Sequence, residues 1–363
     1  MKILVLNAGS SSLKFEIWEM QPEKLILQDT VERTSSMTDA LRSVFEKAAG
    51  IEVDAAGHRI VHGGDRFRES VVIDADVEKQ IEELSALAPL HNPHNLEAYR
   101  AARQHLPNVK HVAVFDTAFH QTLPAHAYAY ALPWEFLTQK KIRRYGFHGI
   151  SHRYVSGRFA ELHDGAPAHF RMITCHLGNG CSVCAINGGE SIDTSMGFTP
   201  LEGLVMGSRS GDIDAGAVLY LITHEGLAPD EVSRVLNNES GLKGLSGVSN
   251  DMRDILKAAD GGDERANLAV DAFCYRVRKY IGSYLAAMNG ADVLIFTGGI
   301  GENSAAIRTR ICAGLDSLGI ALDSGANEAL SQADRQIGNS AIPVWVIPTK
   351  EELLIARDTL KCL

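Results

Sequence analysis

The stretch "VLNAGSSSLKFEI", residues 5–17, runs an apolar strand into Gly9 and a cluster of serines, then resumes an alternating pattern. It looks like a phosphate cradle. It is not the loop G-x-x-x-x-G-K-[ST], because Lys14 sits on an outgoing strand and does not open a helix. Laid over "TCHLGNGCSVCAI", residues 174–186, the same design shows a second time. Asn7 and His176 occupy matching places, and Gly9 and Gly178 follow each at the same spacing. Two such β-turn-β units, each opening a half-chain of α/β pattern, predict a duplicated domain. A cleft between the halves would then be lined by two Gly-rich hairpins.

Strand-like runs are predicted at 2–7, 12–18, 56–61, 110–115, 171–176, 181–186, 292–296 and 343–347. Helical patterns fill 38–49, 76–88, 95–105, 214–224, 229–237, 263–288 and 303–318, and a short helix closes the chain. Alternation of this kind means α/β layers. A third loop, "IFTGGIGEN" (295–303), leads from a strand into a helix start, where free backbone N–H groups can hold an anion or nucleotide.

Bulk properties narrow the function classes. A chain of 363 residues, 45% hydrophobic and 22% charged, has the length of two globular domains. A formal net charge of −10 with no basic cluster argues against nucleic-acid binding. No apolar run has the length of a membrane span, and Asn7 and Gly9 interrupt the N-terminus before a signal-peptide core. A cytoplasmic protein with no membrane partner is the expectation. Cys181 and Cys184 form a C-x-x-C near His176, so a metal or disulfide must be weighed. Residues three apart on a strand point to opposite faces, which favours buried reduced thiols.

Polar residues gather at strand ends and glycine turns. "HRIVHGG" (58–64) offers Arg59 and His62, "LAPLHNPHN" (87–95) offers His91, and "VFDTAFH" (114–120) ends a strand with Asp116. "RRYGFHGISH" (143–152) offers His148, and "MGSRSGDID" (206–214) offers Arg209. Asp212 reads as the N-cap of the helix starting near Ala215. Each residue alone is an ordinary turn residue. Together, many Arg and His with one Asp, several Gly loops and no Ser or Cys nucleophile suit phosphoryl transfer, which rests on positioning and charge neutralisation.

The segments "NAGSSSLKF", "HRIVHGG", "LAPLHNP", "FDTAFH", "YGFHGISH", "HLGNG", "GDID" and "FTGGIGENS" occur here in that order. In this the chain resembles the acetate, propionate and butyrate kinases, from Leu4 to about Asp358. The resemblance implies the actin, hexokinase and Hsp70-like fold: α/β, two duplicated actin-like (ribonuclease H-like) domains with an interdomain cleft. Residues 1–148 and 353–363 would form the acyl-substrate domain, and 149–352 the nucleotide-binding domain. It further implies ATP/ADP as substrate, Mg²⁺ (or Mn²⁺) as cofactor and a homodimer. Asn7 and Glu351 would help hold the metal, with Lys14 near the nucleotide phosphates. Arg59 and His91 would bind the acid, whose methyl would enter a pocket of Val61, Leu90, Phe147 and Pro200. Asp116, His148 and Arg209 would be catalytic. His176, Leu177, Gly178, Asn179 and Gly180, then Asp251, Met252 and Arg253, then Gly299, Ile300, Gly301, Glu302 and Asn303 would hold the nucleotide.

The chain departs from that pattern between Phe15 and His58, where it is shorter than most members. His94 stands where a smaller or apolar residue is expected, and Ser208 where Thr is common. A short carboxylic acid is already ionised at neutral pH, so Asp116 is expected to act by orienting the site or its metal shell more than by taking a proton. Acetate is the expected acceptor, propionate the alternative, and a sugar or glycerol kinase of the same fold a more distant one.

Overall fold

The computed structural model describes every residue except 10, 11, 33–35 and 330. The tip of the first expected cradle (residues 10 and 11) and part of the shortened region (33–35) therefore lie outside the described residues.

Near-continuous apolar runs such as "KILVLNA" and "KHVAVF" are what a parallel strand covered on both faces requires. In the first sheet these become β1 (Lys2–Ala8) and β6 (Lys110–Phe115), with β4 (Ala55–Ile60) between them. β2 (Ser12–Met20), β3 (Glu23–Glu32) and β5 (Val71–Val72) complete the order β3-β2-β1-β4-β6-β5. The second sheet contains β7 (Arg171–Leu177), β8 (Cys181–Asn187), β9 (Glu190–Thr194), β10 (Val293–Thr297), β11 (Arg335–Gly338) and β12 (Val344–Val346). Its order is β9-β8-β7-β10-β12-β11.

Written from the first strand of each sheet, the two orders are the same. So are the directions. β1 pairs antiparallel with β2 and parallel with β4, as β7 does with β8 and β10. β4 and β6 run parallel, as do β10 and β12, and each sheet ends on an antiparallel edge strand. The α/β class and the duplication expected from the two hairpins are both present.

The chain forms two compact units: residues 1–121, 148–154 and 350–363, and residues 122–147 and 155–349. This partition differs from the expected one at three stretches: residues 149–154 and 350–352 go with the first unit, and residues 122–147 with the second. Residues 350–352 go with the first unit because the helix Glu351–Lys361 packs along β1 and β4. A Cβ added at Gly57 on β4 would lie 2.3 Å from Thr359 Oγ1 of that helix, so the close seat needs glycine. Residues 122–147 go with the second unit. There Arg144 donates to the carbonyls of Thr194, Ser195 and Met196, and Tyr145 N–H to Gly197 O.

The first unit's core gathers Leu4, Leu6, Phe15 and Ile17 against Met37, Leu41 and Val44 of the helix Met37–Lys47. In the second, the helix Glu264–Met288 buries Phe273, Val277, Ile281 and Tyr284 and packs on β7 and β8. The helix at 215 is capped by Asp214, whose carboxylate accepts from Gly216 N–H at 2.9 Å, and not by Asp212. Asp212 is already engaged: it accepts from Gly203 N–H and Tyr280 O–H and pairs with Arg276.

Candidate active site

In the first unit, β1, β4 and β6 end side by side and bring Asn7, Arg59 and Asp116 together. Arg59 Nη2 donates to Asp116 Oδ2 at 2.7 Å, and its Nη1 to Asn7 Oδ1 at 3.2 Å. Burial opposes the charge on Arg59, but the nearby Asp116 and Glu351 carboxylates hold its pKa above the ordinary value. Asn7 Nδ2 donates to Glu352 Oε1 at 3.1 Å. Lys14 reaches Glu352 at 2.8 Å and Glu16 at 3.3 Å. Burial, then the charge of Glu352, raises Glu16.

Two cations, Lys14 and Arg59, thus share the site with four carboxyl groups: Glu16, Asp116, Glu351 and Glu352. Burial pushes Glu351 up to about 7; Arg59 works against that rise, and Asp116 and Glu352 add to it. Asp116 Oδ1 is buried with no hydrogen-bond partner. Surplus carboxylates around an orphaned acceptor suit a hard divalent cation and its waters, which one or two protein carboxylates and substrate phosphates commonly complete.

His148 enters through its backbone: its N–H donates to Asp116 Oδ2 at 3.1 Å, and its φ of 57° turns the chain there. Gly149 N–H then donates to Asp116 O at 2.9 Å. A Cβ at Gly149 would sit 2.2 Å from that same oxygen, so only glycine permits this approach. Asp116 consequently fixes the start of the helix Gly149–Leu162 as well as Arg59. Behind it, His62 N–H donates to Asn92 Oδ1, and Val61 N–H to Asn95 Oδ1. His91 stands at the N-cap place of the helix Asn92–His105 but offers no side-chain cap bond. Val61 is buried, whereas Leu90 is 60% exposed.

The second unit gathers most of the expected nucleotide-side residues around one cavity of about 640 Å³. Gly178, Asn179, Asp251, Met252, Arg253, Gly299, Ile300 and Asn303 line it, joined by Asn250, Leu256 and Ser304. Asp251 caps the helix Met252–Asp260, and its bonds from Arg253 lower its pKa to about 2. Glu302 works from behind: its Oε1 accepts from Gly298 N–H at 2.8 Å and Thr349 N–H at 3.1 Å, which holds the loop. His176, Leu177, Gly180, Gly301 and Glu302 do not line the cavity. Arg209 is also in this unit, where Nη1 donates to Pro200 O at 2.6 Å and burial lowers its pKa. Phe147 and Pro200 belong to the second unit, Val61 and Leu90 to the first. Cys181 Sγ donates to Gly178 O, while Cys184 Sγ meets Ser191 Oγ, so the two thiols take separate partners.

Glu16 and Glu352 were not among the expected site residues. Glu16 was legible, because residues two apart on a strand share a face and Lys14 was already singled out. Glu352 was not, because its place depends on the return of the chain after residue 349. Asn250 lay one residue outside a recognised segment.

A family model described as the Acetokinase family matches residues 31–357. The chain is 48% identical to the acetate kinase of Thermotoga maritima, covering 99% of this chain and 98% of that one. Among solved structures, the acetate kinase of Porphyromonas gingivalis superposes with a TM-score of 0.94 at 42% identity, covering 99% of each chain. A propionate kinase from Francisella tularensis superposes with a TM-score of 0.95 at 40% identity, covering 100% of each chain. The chain belongs to the acetokinase family and is a kinase whose phosphoryl acceptor is a carboxyl group.

Proposed function

We propose that the chain transfers the γ-phosphoryl group of ATP to acetate, reversibly and with Mg²⁺, giving acetyl phosphate and ADP. The observation that carries this reading is the first unit's cluster, where four carboxyls face two cations and Asp116 Oδ1 has no partner. Asn7 and Glu351 would hold Mg²⁺ (or Mn²⁺), with Asp116 accepting from the water shell. When bound, the ion neutralises phosphate charge and orients the transferring group.

The acceptor needs no general base, since its carboxylate is ionised at neutral pH. Arg59 binds and orients it: the planar fork suits a carboxylate, and its Nε–H is buried and uncommitted. Asp116 is a positioning residue, because Oδ2 already accepts from Arg59 and from His148 N–H. His148 and Arg209 donate to the transferring phosphoryl oxygens, and Lys14 to the nucleotide phosphates. On the first unit, His91, Val61 and Leu90 flank the acid. The first unit is thus the acyl-substrate unit, and the second, with its 640 Å³ cavity, the nucleotide unit.

Propionate is the second reading, favoured by the near-identical fold of the Francisella enzyme. One methylene changes binding by about 1–3 kcal/mol, or roughly 10–200-fold. Trapping of acyl phosphate with hydroxylamine over acetate, propionate and butyrate tests both. Acetate should lead by at least tenfold in kcat/KM; equal values for the C2 and C3 acids would refute the acetate assignment.

A second copy of this chain covers the helix Ala215–Thr223 in the same proposal. That helix is "AGAVLYLIT", buries none of its residues, and leaves Leu219 61% and Tyr220 52% exposed. Light scattering should give a dimer, and Leu219→Lys a monomer; a monomeric wild type would contradict it. No helix among the described residues is long and apolar enough to cross a membrane. With ATP and a free carboxylate as substrates, a cytoplasmic location is part of the same proposal.

A further inference from the structure

We propose that the cavity between Arg308 and Arg335, in the second unit, is a binding site for one small inorganic anion of the halide, sulfate or phosphate class. Arg308 belongs to the helix Ala305–Cys312 and is 1% exposed. Its Nε donates to Asn327 Oδ1 at 2.7 Å and its Nη2 to Asn327 O at 2.6 Å. Its Nη1 donates to Gly301 O at 2.8 Å and Glu302 O at 3.0 Å. Arg335 opens β11 and donates to Ser331 O at 2.7 Å and Glu302 O at 3.1 Å. Its Nε–H is buried with no partner.

Every acceptor in that set is a neutral carbonyl oxygen. Neither guanidinium has an ion-pair partner among the described residues. Of the two carboxylates that line the cavity, Glu302 points its Oε1 at Gly298 N–H and Thr349 N–H, and Glu328 is exposed. Buried charges in proteins are otherwise paired, because an uncompensated ion in a low-dielectric interior is costly. Two like charges here repel as well: burial, then the charge of Arg335, lowers Arg308 to about 10. The space between them is about 70 Å³. That is about two water volumes, room for a single small ion and far too little for a nucleotide. A fork of guanidinium N–H groups matches such an anion.

The position gives the site a consequence. Both guanidiniums bond to Glu302 O, at the end of the helix Gly298–Asn303 that lines the larger cavity. Occupancy would relieve the repulsion between the two groups that tie this helix down.

Crystals of the full chain soaked in sodium bromide should show an anomalous peak between the two guanidiniums. In solution, chloride, sulfate or phosphate should raise the Tm saturably, by about 2–4 °C over sodium gluconate at matched ionic strength. Arg335→Gln should abolish that specific rise. Water density alone in the bromide crystal, with equal Tm in gluconate and chloride, would overturn the proposal. A peak with no saturable shift would mark an adventitious ion only, and would overturn it too. Should Arg335→Gln fail to fold, the wild-type peak and titration decide the matter.

Discussion

The two glycine hairpins are one backbone design furnished in two ways. In the first, Ala8 pairs with Leu13; in the second, Leu177 pairs with Cys181 and leaves 178–180 as the turn. The incoming strands match residue for residue. The outgoing strands are offset by one, so the partner of Asn7 is Lys14 and that of His176 is Ser182. An ungapped overlay would set Lys14 on Val183, which belongs to the opposite face of its strand. Around the first hairpin stand charges: Lys14, Glu16, Arg59, Asp116 and Glu352. Around the second stand buried neutral groups, and burial pushes Cys181 up to about 12 and Cys184 higher still. Duplication preserved the platform, and side chains divided the labour: charge in one unit, backbone loops around a cavity in the other.

The two site arginines offer the largest test of that division. Arg59→Ala leaves Asp116 buried and unpaired, and should cost about 3–5 kcal/mol of stability. It should also lower kcat/KM by about 10²–10³. Arg209→Ala should lower activity by a similar factor, yet move stability by only about 1 kcal/mol, because its partner is a backbone carbonyl. Urea denaturation and the hydroxamate assay on both variants measure this. Equal stability losses would break the asymmetry drawn here.

A smaller effect is expected at Glu352, which orients both Asn7 and Lys14. Glu352→Gln should weaken apparent Mg²⁺ affinity or turnover by roughly 10–100-fold, the range for groups that support metal ligands. KM for the acid should change little. A variant with unaltered Mg²⁺ dependence would remove Glu352 from the positioning network.

The smallest effect is one of acid stability. The buried histidines His58, His62, His111, His120 and His152 all lie in the first unit. Burial, then neighbouring His91, lowers His62 to about 4, and Gly64 N–H donates to its Nδ1. Burial also lowers His58 and His111. Unfolded histidines take up protons below about pH 6.5, and these three do not while folded. Stability is therefore fully present above that pH and declines as pH falls toward 4. Hydrogen exchange at pH 5 should open first-unit amides before second-unit amides, with little difference at pH 7. Uniform opening at pH 5 would contradict this account.

Periodicity and glycine placement made the duplication legible, since the sheet's inner strands must be apolar along their length whatever surrounds them. β1, β6, β7 and β10 were all found that way. β3, β5, β9 and β11 were not: they are edge strands, partly or largely exposed, and their sequences are too short or alternate too weakly to stand out. The helices at 149–162 and 298–303 were also missed, because glycines at their starts read as loop. Among site residues, Asn7, Arg59 and Asp116 were legible as polar groups at strand ends, where a core would not call for them.

What strand pattern could not carry was every relation made by the return of the chain. Helix 351–361 brings Glu352 to Asn7 and Lys14 across more than 330 positions, and Glu351 near Arg59 and Asp116. Arg308 and Arg335 meet at Glu302 from separate elements. Residue types and periods are local properties, written in the chain as it stands. Charge balance, pKa and the one-residue offset between the hairpins are properties of packing, and they exist once the sheets have closed.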